Sequence, residues 1–183
     1  MNNNPQTHFG AFFDKDSKVL ILGSFPSSDS LKAKFFYQNC TNRFWCVMEK
    51  IFGLKGLRGD INAQKDFLKS HHIALWDIWE QCHRAKASSA DRDIDRDKSK
   101  RANLNEILDK AKIEAIFTTI GKGDSFSKWR IKEWIQSYFP NQNINAILYP
   151  LYSTSARSPK NDDELVENYK IIKEILDKAK GRK

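Results

Sequence analysis

Four consecutive apolar residues, Val19-Leu20-Ile21-Leu22, run straight into Gly23-Ser24-Phe25-Pro26-Ser27. An unbroken apolar run of strand length has no side to show to water, so it reads as a strand buried on both faces, and such strands belong to parallel sheets covered by helices. The glycine turn after it opens the edge where open α/β sheets hold their ligands. Chemistry is therefore expected just beyond Leu22.

The rest of the chain repeats the pattern. After the strand at 18–22, apolar residues Phe44, Val47, Met48 and Ile51 recur at helical spacing over 43–52, and Gly53 follows as a stop. A second helix is expected over 61–70 and a second strand over 72–78. Residues 104–112 read as a short helix and 113–120 as a third strand rich in β-branched and aromatic residues. Trp129, Ile131, Trp134, Ile135 and Tyr138 give another helical stripe before a fourth strand at 144–148. Asn161-Asp162-Asp163-Glu164 then caps a closing amphipathic helix with Leu165, Tyr169, Ile172, Leu176 and Ala179 on one face. Strands alternating with helices predict a mainly parallel sheet covered on both faces, and 183 residues suit a single domain over 1–183. The mixed-charge stretch 91–101 reads as a solvated connection.

Charge points toward a polyanion. The chain carries 31 basic and 23 acidic residues, a net charge of +8 and a pI of about 9.3, and lysine and arginine gain affinity for a phosphate backbone by releasing its counterions. Three cysteines, Cys40, Cys46 and Cys82, make no paired C-x-x-C pattern, and Met1-Asn2-Asn3-Asn4 lacks the apolar stretch of a secretory leader. A reduced, cytoplasmic setting is expected. No apolar run approaches the roughly 20 residues that cross a bilayer, so membrane insertion is excluded. The loops after the first and last strands are dense in small polar residues, Ser24, Ser27, Ser28 and Ser30 in one and Ser153, Thr154, Ser155 and Ser158 in the other. In a parallel sheet both emerge on the same edge, where hydroxyls and amides can hold phosphates.

Four motifs in order on these strand ends carry a resemblance. Gly23-Ser24-Phe25-Pro26-Ser27 looks like a Gly-x-x-Pro-Gly turn with Ser27 in the last place. Tyr37 through Trp45 looks like aromatic-x-His-Pro-x-Asn-x-Phe-Trp, with Asn39 and Cys40 in place of His-Pro. Leu75-Trp76-Asp77-Ile78, followed by Cys82, Arg84, Ser88, Ser89, Asp91 and Ile94, is similar to a Leu-Trp-Asp-Val…Cys-x-Arg…Gly-Ser-x-Asp-x-x-Ile run, and Leu151 through Arg157 resembles a Ser-Ser-Ser-Ala-Arg loop. From about Lys18 to the final helix the chain resembles the uracil-DNA glycosylase superfamily, in its deoxyinosine (hypoxanthine) and mismatch-specific branches.

The resemblance implies a three-layer α/β/α sandwich with a short, mainly parallel four-stranded sheet. It also implies a monofunctional DNA glycosylase that needs no cofactor and no metal. Such an enzyme turns a deaminated base, hypoxanthine or uracil, out of double-stranded DNA with a damaged or mismatched base and hydrolyses its N-glycosidic bond. Action as a monomer is expected, close to the nucleoid if the source is prokaryotic. Tyr37 matches the aromatic that stacks on the flipped base. Phe25 stands where the mismatch-specific branch has a water-activating Asn, so that task passes to Asn42, with Asp29 as a second candidate for general base; helix capping is the competing role of both. Ser24, Phe25, Thr119 and Asp77 are expected around the base. Ser153, Thr154, Ser155, Ala156 and Arg157, with Arg43, are expected on the DNA, an ion pair with a surface acid being the alternative for Arg157.

Two other readings stay open: a flavodoxin-like module that cradles a nucleotide phosphate with Ser24, Ser27 and Ser28, and a DNA-binding relative without catalysis or with another specificity. An iron–sulfur site lacks its fourth cysteine, and a serine hydrolase lacks a Gly-x-Ser-x-Gly elbow.

Overall fold

The computed structural model describes residues 5–84, 91–119, 135–137, 139 and 146–181. Its elements are β1 (Gln6–Thr7), β2 (Val19–Gly23), α1 (Ser28–Ala33), α2 (Phe44–Phe52), α3 (Ile61–Ser70), β3 (Ile73–Asp77), β4 (Trp79–Arg84), β5 (Ile94–Arg101), α4 (Asn105–Leu108), β6 (Ala115–Thr118), β7 (Ile147–Pro150) and α5 (Asp162–Lys180). A parallel four-stranded sheet in the order β3-β2-β6-β7 forms the centre. The α/β layering expected from the sequence is the one observed.

Because side chains alternate across a strand, the apolar run of β2 feeds two cores. Val19 and Ile21 point to one, with Phe44, Trp45, Phe67, Leu68, Leu165 and Tyr169 from α2, α3 and α5. Leu20 and Leu22 point to the other, with Phe25, Trp76, Leu104, Ile107, Ile135 and Phe139. Neighbouring strands follow suit, Ile73 and Leu75 joining the first core and Ala74 and Trp76 the second. The closing helix α5 begins on the expected cap: Asn161 Oδ1 accepts from Glu164 N at 2.9 Å, and the Glu164 side chain returns the bond to Asn161 N at 2.8 Å.

Local differences from the sequence reading have physical causes. Residues 94–101 are a strand, β5, paired antiparallel with β4, which also pairs with β1. Only Ile94 of that strand is buried, so its charges mask any alternation, while the ladder to β4 holds the backbone. Ser27 is the N-cap of α1, its Oγ accepting from Ser30 N at 3.2 Å, so part of the serine-rich loop is helix. The fourth strand lies at Ile147–Pro150, later than expected. The helix read over 129–138 falls mostly outside the described residues; 135–137 are helical and Ile135 is buried.

Candidate active site

In the strand order β3-β2-β6-β7 the chain moves to one side of β2 and then to the other, which creates a switch point beside β2 where adjoining loops diverge. A cavity of about 660 Å³ opens there, within the range of small-molecule sites. β2 supplies Gly23 and the loop to Ser27, β3 supplies Asp77, Thr119 follows β6, and residues 152–160 follow β7. Tyr37, Asn42 and Asp91 complete the wall.

Tyr37 has φ of 57°, a left-handed conformation that costs a non-glycine residue about 1–3 kcal/mol. Its ring is stacked on Phe44, with centroids 3.8 Å apart and planes 13° from parallel. The hydroxyl is buried without a hydrogen-bond partner among the described residues. That burial, reinforced by the negative charge of Asp77, pushes its pKa well above the ordinary tyrosine value; Thr119 opposes the shift without making a well-formed bond. Tyr37 stays a protonated donor.

Asp77 lies at the end of β3, almost fully buried. Its Oδ2 is 3.0 Å from His8 Nε2. Gly10 N donates to His8 Nδ1 at 2.8 Å, which leaves Nε2 to carry the proton and donate to the carboxylate. Gly23 is required beside this pair, since a Cβ there would overlap Asp77 Oδ1 and approach the Tyr37 hydroxyl. Gly23→Ala is expected to displace Asp77, to break its bond to His8 and to lower stability by about 1–3 kcal/mol. Urea unfolding of the variant checks this, and a wild-type midpoint would show that the wall yields without cost.

Asn42 precedes α2. Its Oδ1 accepts from Phe44 N and from Thr154 Oγ1, both at 2.9 Å, so the cap role and the pocket position coincide. With both lone pairs of that oxygen engaged, only the Nδ2 donors remain for a ligand. Asp29 does not line the cavity; its Oδ2 accepts from Asn39 Nδ2 at 2.8 Å. The geometry gives no support to its expected role as a base, because its carboxylate lies outside the cavity wall.

Arg43 also departs from expectation. Nη1 donates to Lys160 O at 2.6 Å, and Nη2 donates to Ser155 O at 3.1 Å and Ser158 O at 3.4 Å, with Asp162 alongside. Arg43 N donates to Thr154 O. These bonds make Arg43 a clamp that shapes the 153–160 loop, in place of the DNA contact read from the sequence. Ser153, Thr154, Ser155, Ala156 and Arg157 all line the cavity. Arg157 is exposed, and its guanidinium makes no ion pair among the described residues.

Ser24 and Phe25 line the cavity as expected, Phe25 with the Arg84 guanidinium 5.3 Å over its ring. Sequence reasoning assigned no role to His8 or Asp91. His8 stands in no motif, whereas Asp91 lay within the third one. Although the Asp91 residue is exposed as a whole, it faces the cavity. Loss of water around its carboxyl raises its pKa, and Asp77 adds to the rise, while Ser24, Arg84 and Arg157 oppose it. A carboxyl with a raised folded-state pKa is stabilising below the unfolded value and loses that contribution as pH rises. Asp91→Asn should therefore melt above the wild type at pH 7, with the gap closing as pH falls toward about 4; equal melting at both pH values would contradict the desolvation. Among the described residues no cluster of three His, Cys, Asp or Glu side chains is arranged to hold a metal ion.

The fold is shared with a solved structure, and the cavity lies at the strand ends where the motif resemblance put it. A solution NMR structure from Methanosarcina acetivorans, described as a candidate uracil DNA glycosylase, matches with a TM-score of 0.68 and 22% identity over 93% of this chain and 99% of that one. In sequence, the hypoxanthine DNA glycosylase of Methanosarcina acetivorans is 36% identical over 73 residues, and that of Methanosarcina barkeri 30% identical over 71. Each of these matches spans 39% of this chain and 45% of the relative, so the chain spans less than half the length of the curated relatives it matches. No protein-family model matches the chain.

Proposed function

We propose that this protein is a monofunctional DNA glycosylase that removes hypoxanthine, and with it uracil, from double-stranded DNA, working as a monomer in the cytoplasm. The observation that carries the reading is the joining, in one cavity at the ends of all four parallel strands, of Tyr37, Asn42, Asp77 and the Ser153–Arg157 loop. The partial match to two hypoxanthine DNA glycosylases supports the choice of base.

The base leaves a deoxyribose as its C1′–N bond breaks, the electron pair going to the base while the sugar becomes oxocarbenium-like. Tyr37, backed by Phe44, supplies the flat surface on which a flipped base stacks, a contact worth about 1–3 kcal/mol per base. Asn42 Nδ2 supplies a fixed donor for the charge that grows on the base, and such donors act strongly where water is excluded. Asp91 at the rim accepts a proton from the water that adds to C1′; its raised pKa suits it to that task. The Phe25 side chain has no polar atom with which to orient water and contributes an apolar wall. Exposed Arg157 and the small residues beside it face the DNA, Arg157 filling the gap left in the stack.

Single-turnover cleavage of labelled duplexes carrying deoxyinosine or deoxyuridine, followed by alkali, tests the reading. Strand scission at the modified base is expected. Tight binding of both duplexes with release from neither would overturn it in favour of a relative that binds DNA without catalysis.

A further inference from the structure

Stacking, charge stabilisation and loop contacts leave the buried His8–Asp77 pair without a task. A histidine and a carboxylate are costly to bury unless their polar atoms are matched, and here the matching is incomplete on one side only. The imidazole is satisfied at both nitrogens, by Gly10 N and by Asp77 Oδ2. Its ring is enclosed by Phe9, Phe25 and Phe36, with centroids 4.4, 6.1 and 5.5 Å away, so it is not free to turn. Asp77 Oδ1, by contrast, receives no hydrogen bond from any described residue, lies over Gly23, and belongs to a side chain of the cavity wall.

We infer that His8 is a positioning residue: by holding Oδ2 from behind, it leaves Asp77 Oδ1 in the cavity as the acceptor that reads the ring N–H a base gains on deamination. The inference rests on the glycosylase reading above and names what its pocket selects. Adenine N1 and cytosine N3 are lone-pair acceptors, and deamination turns them into the N1–H of hypoxanthine and the N3–H of uracil. Against a carboxylate oxygen, the parent bases set lone pair against lone pair, whereas the products donate a charge-assisted hydrogen bond. A single carboxylate thus admits both products and rejects both parents. Sites that hydrogen-bond a substrate N–H discriminate strongly, because an analogue without it leaves the buried partner unpaired.

The test measures equilibrium binding to duplexes with an uncleavable 2′-fluoroarabino sugar bearing hypoxanthine, 1-methylhypoxanthine or adenine, and release from the cleavable hypoxanthine duplex. The wild type is expected to bind hypoxanthine about 100-fold more tightly than its 1-methyl form, as loss of a hydrogen bond to a charged group requires. His8→Phe should cut the preference for hypoxanthine over adenine by about 10-fold or more. His8→Gln, which offers an amide donor, should restore part of it. Asp77→Asn, whose amide can donate to adenine N1, should collapse the preference while the variant remains folded by its melting curve.

Equal binding of hypoxanthine and its 1-methyl form would overturn the inference, as would an unchanged preference in folded His8→Phe. A purely structural His8 would alter melting without moving the base preference. The two readings fail separately. A wild type that releases hypoxanthine yet binds all three duplexes alike loses only the Asp77 inference. One that binds selectively but releases no base loses the glycosylase reading and keeps the base-reading role of Asp77.

Discussion

On the glycosylase proposal, Asn42→Asp is expected to lower base release by about 10²–10³-fold, the usual effect of losing one preorganised donor, with little change in melting temperature. A carboxylate at this position keeps an acceptor for Phe44 N and Thr154 Oγ1, the two bonds that Asn42 Oδ1 makes. Its charge also suits the start of α2. What disappears is the Nδ2 donor, replaced by an oxygen that repels the electrons arriving on the departing base. Asn42→Ala is a poorer probe because it removes the cap as well, at about 1 kcal/mol. Single-turnover release by the Asp variant, beside its melting curve, separates the roles: undiminished release would show that charge on the base is stabilised elsewhere, with Asn42 left as a cap.

The position of the site was legible in the run from Val19 to Ser27, because a strand buried on both faces followed by a glycine turn has few places to stand in an α/β sheet. The strand-end loops, Tyr37 and Asn42 followed from motifs on that frame. Less legible were assignments that depend on which partner reaches a side chain first. Arg43 looked like a free cation, and only the folded loop shows that the carbonyls of Ser155, Ser158 and Lys160 occupy its guanidinium. Asp29 likewise turns out to be bonded to Asn39 and to lie outside the cavity wall. His8 left no trace, since its partner Asp77 lies 69 residues away and an isolated histidine in a polar lead has no periodicity to mark it. Asp91 stood in a recognisable pattern, yet its environment comes from β2, β3, the end of β4 and the loop after β7.

The site's dependence on the core is sharpest at Phe44. Phe44→Ala is expected to cost about 3–5 kcal/mol, the range for a fully buried phenylalanine, a large share of the 5–15 kcal/mol that holds a domain folded. Phe44 is wedged between Tyr37, Trp45 and Tyr169, stacked on the first and edge-on to the others. Its functional weight lies in the first contact. Tyr37 is held in a left-handed backbone conformation with its hydroxyl unpaired among the described residues, and the stacked face of Phe44 is the packing that offsets this strain. Phe44→Leu tests the point more finely, since an apolar exchange of this kind costs less than truncation to alanine but removes the flat surface behind Tyr37. The leucine variant should stay folded and bind a deoxyinosine duplex about 10-fold more weakly, in line with the about 1–3 kcal/mol of a stacked base. Urea unfolding and duplex binding, measured on both variants, give the comparison. If the leucine variant lost stability but bound the duplex as the wild type does, Tyr37 would not depend on Phe44 for its stacking geometry, and the coupling between core and site would fail where the two rings meet.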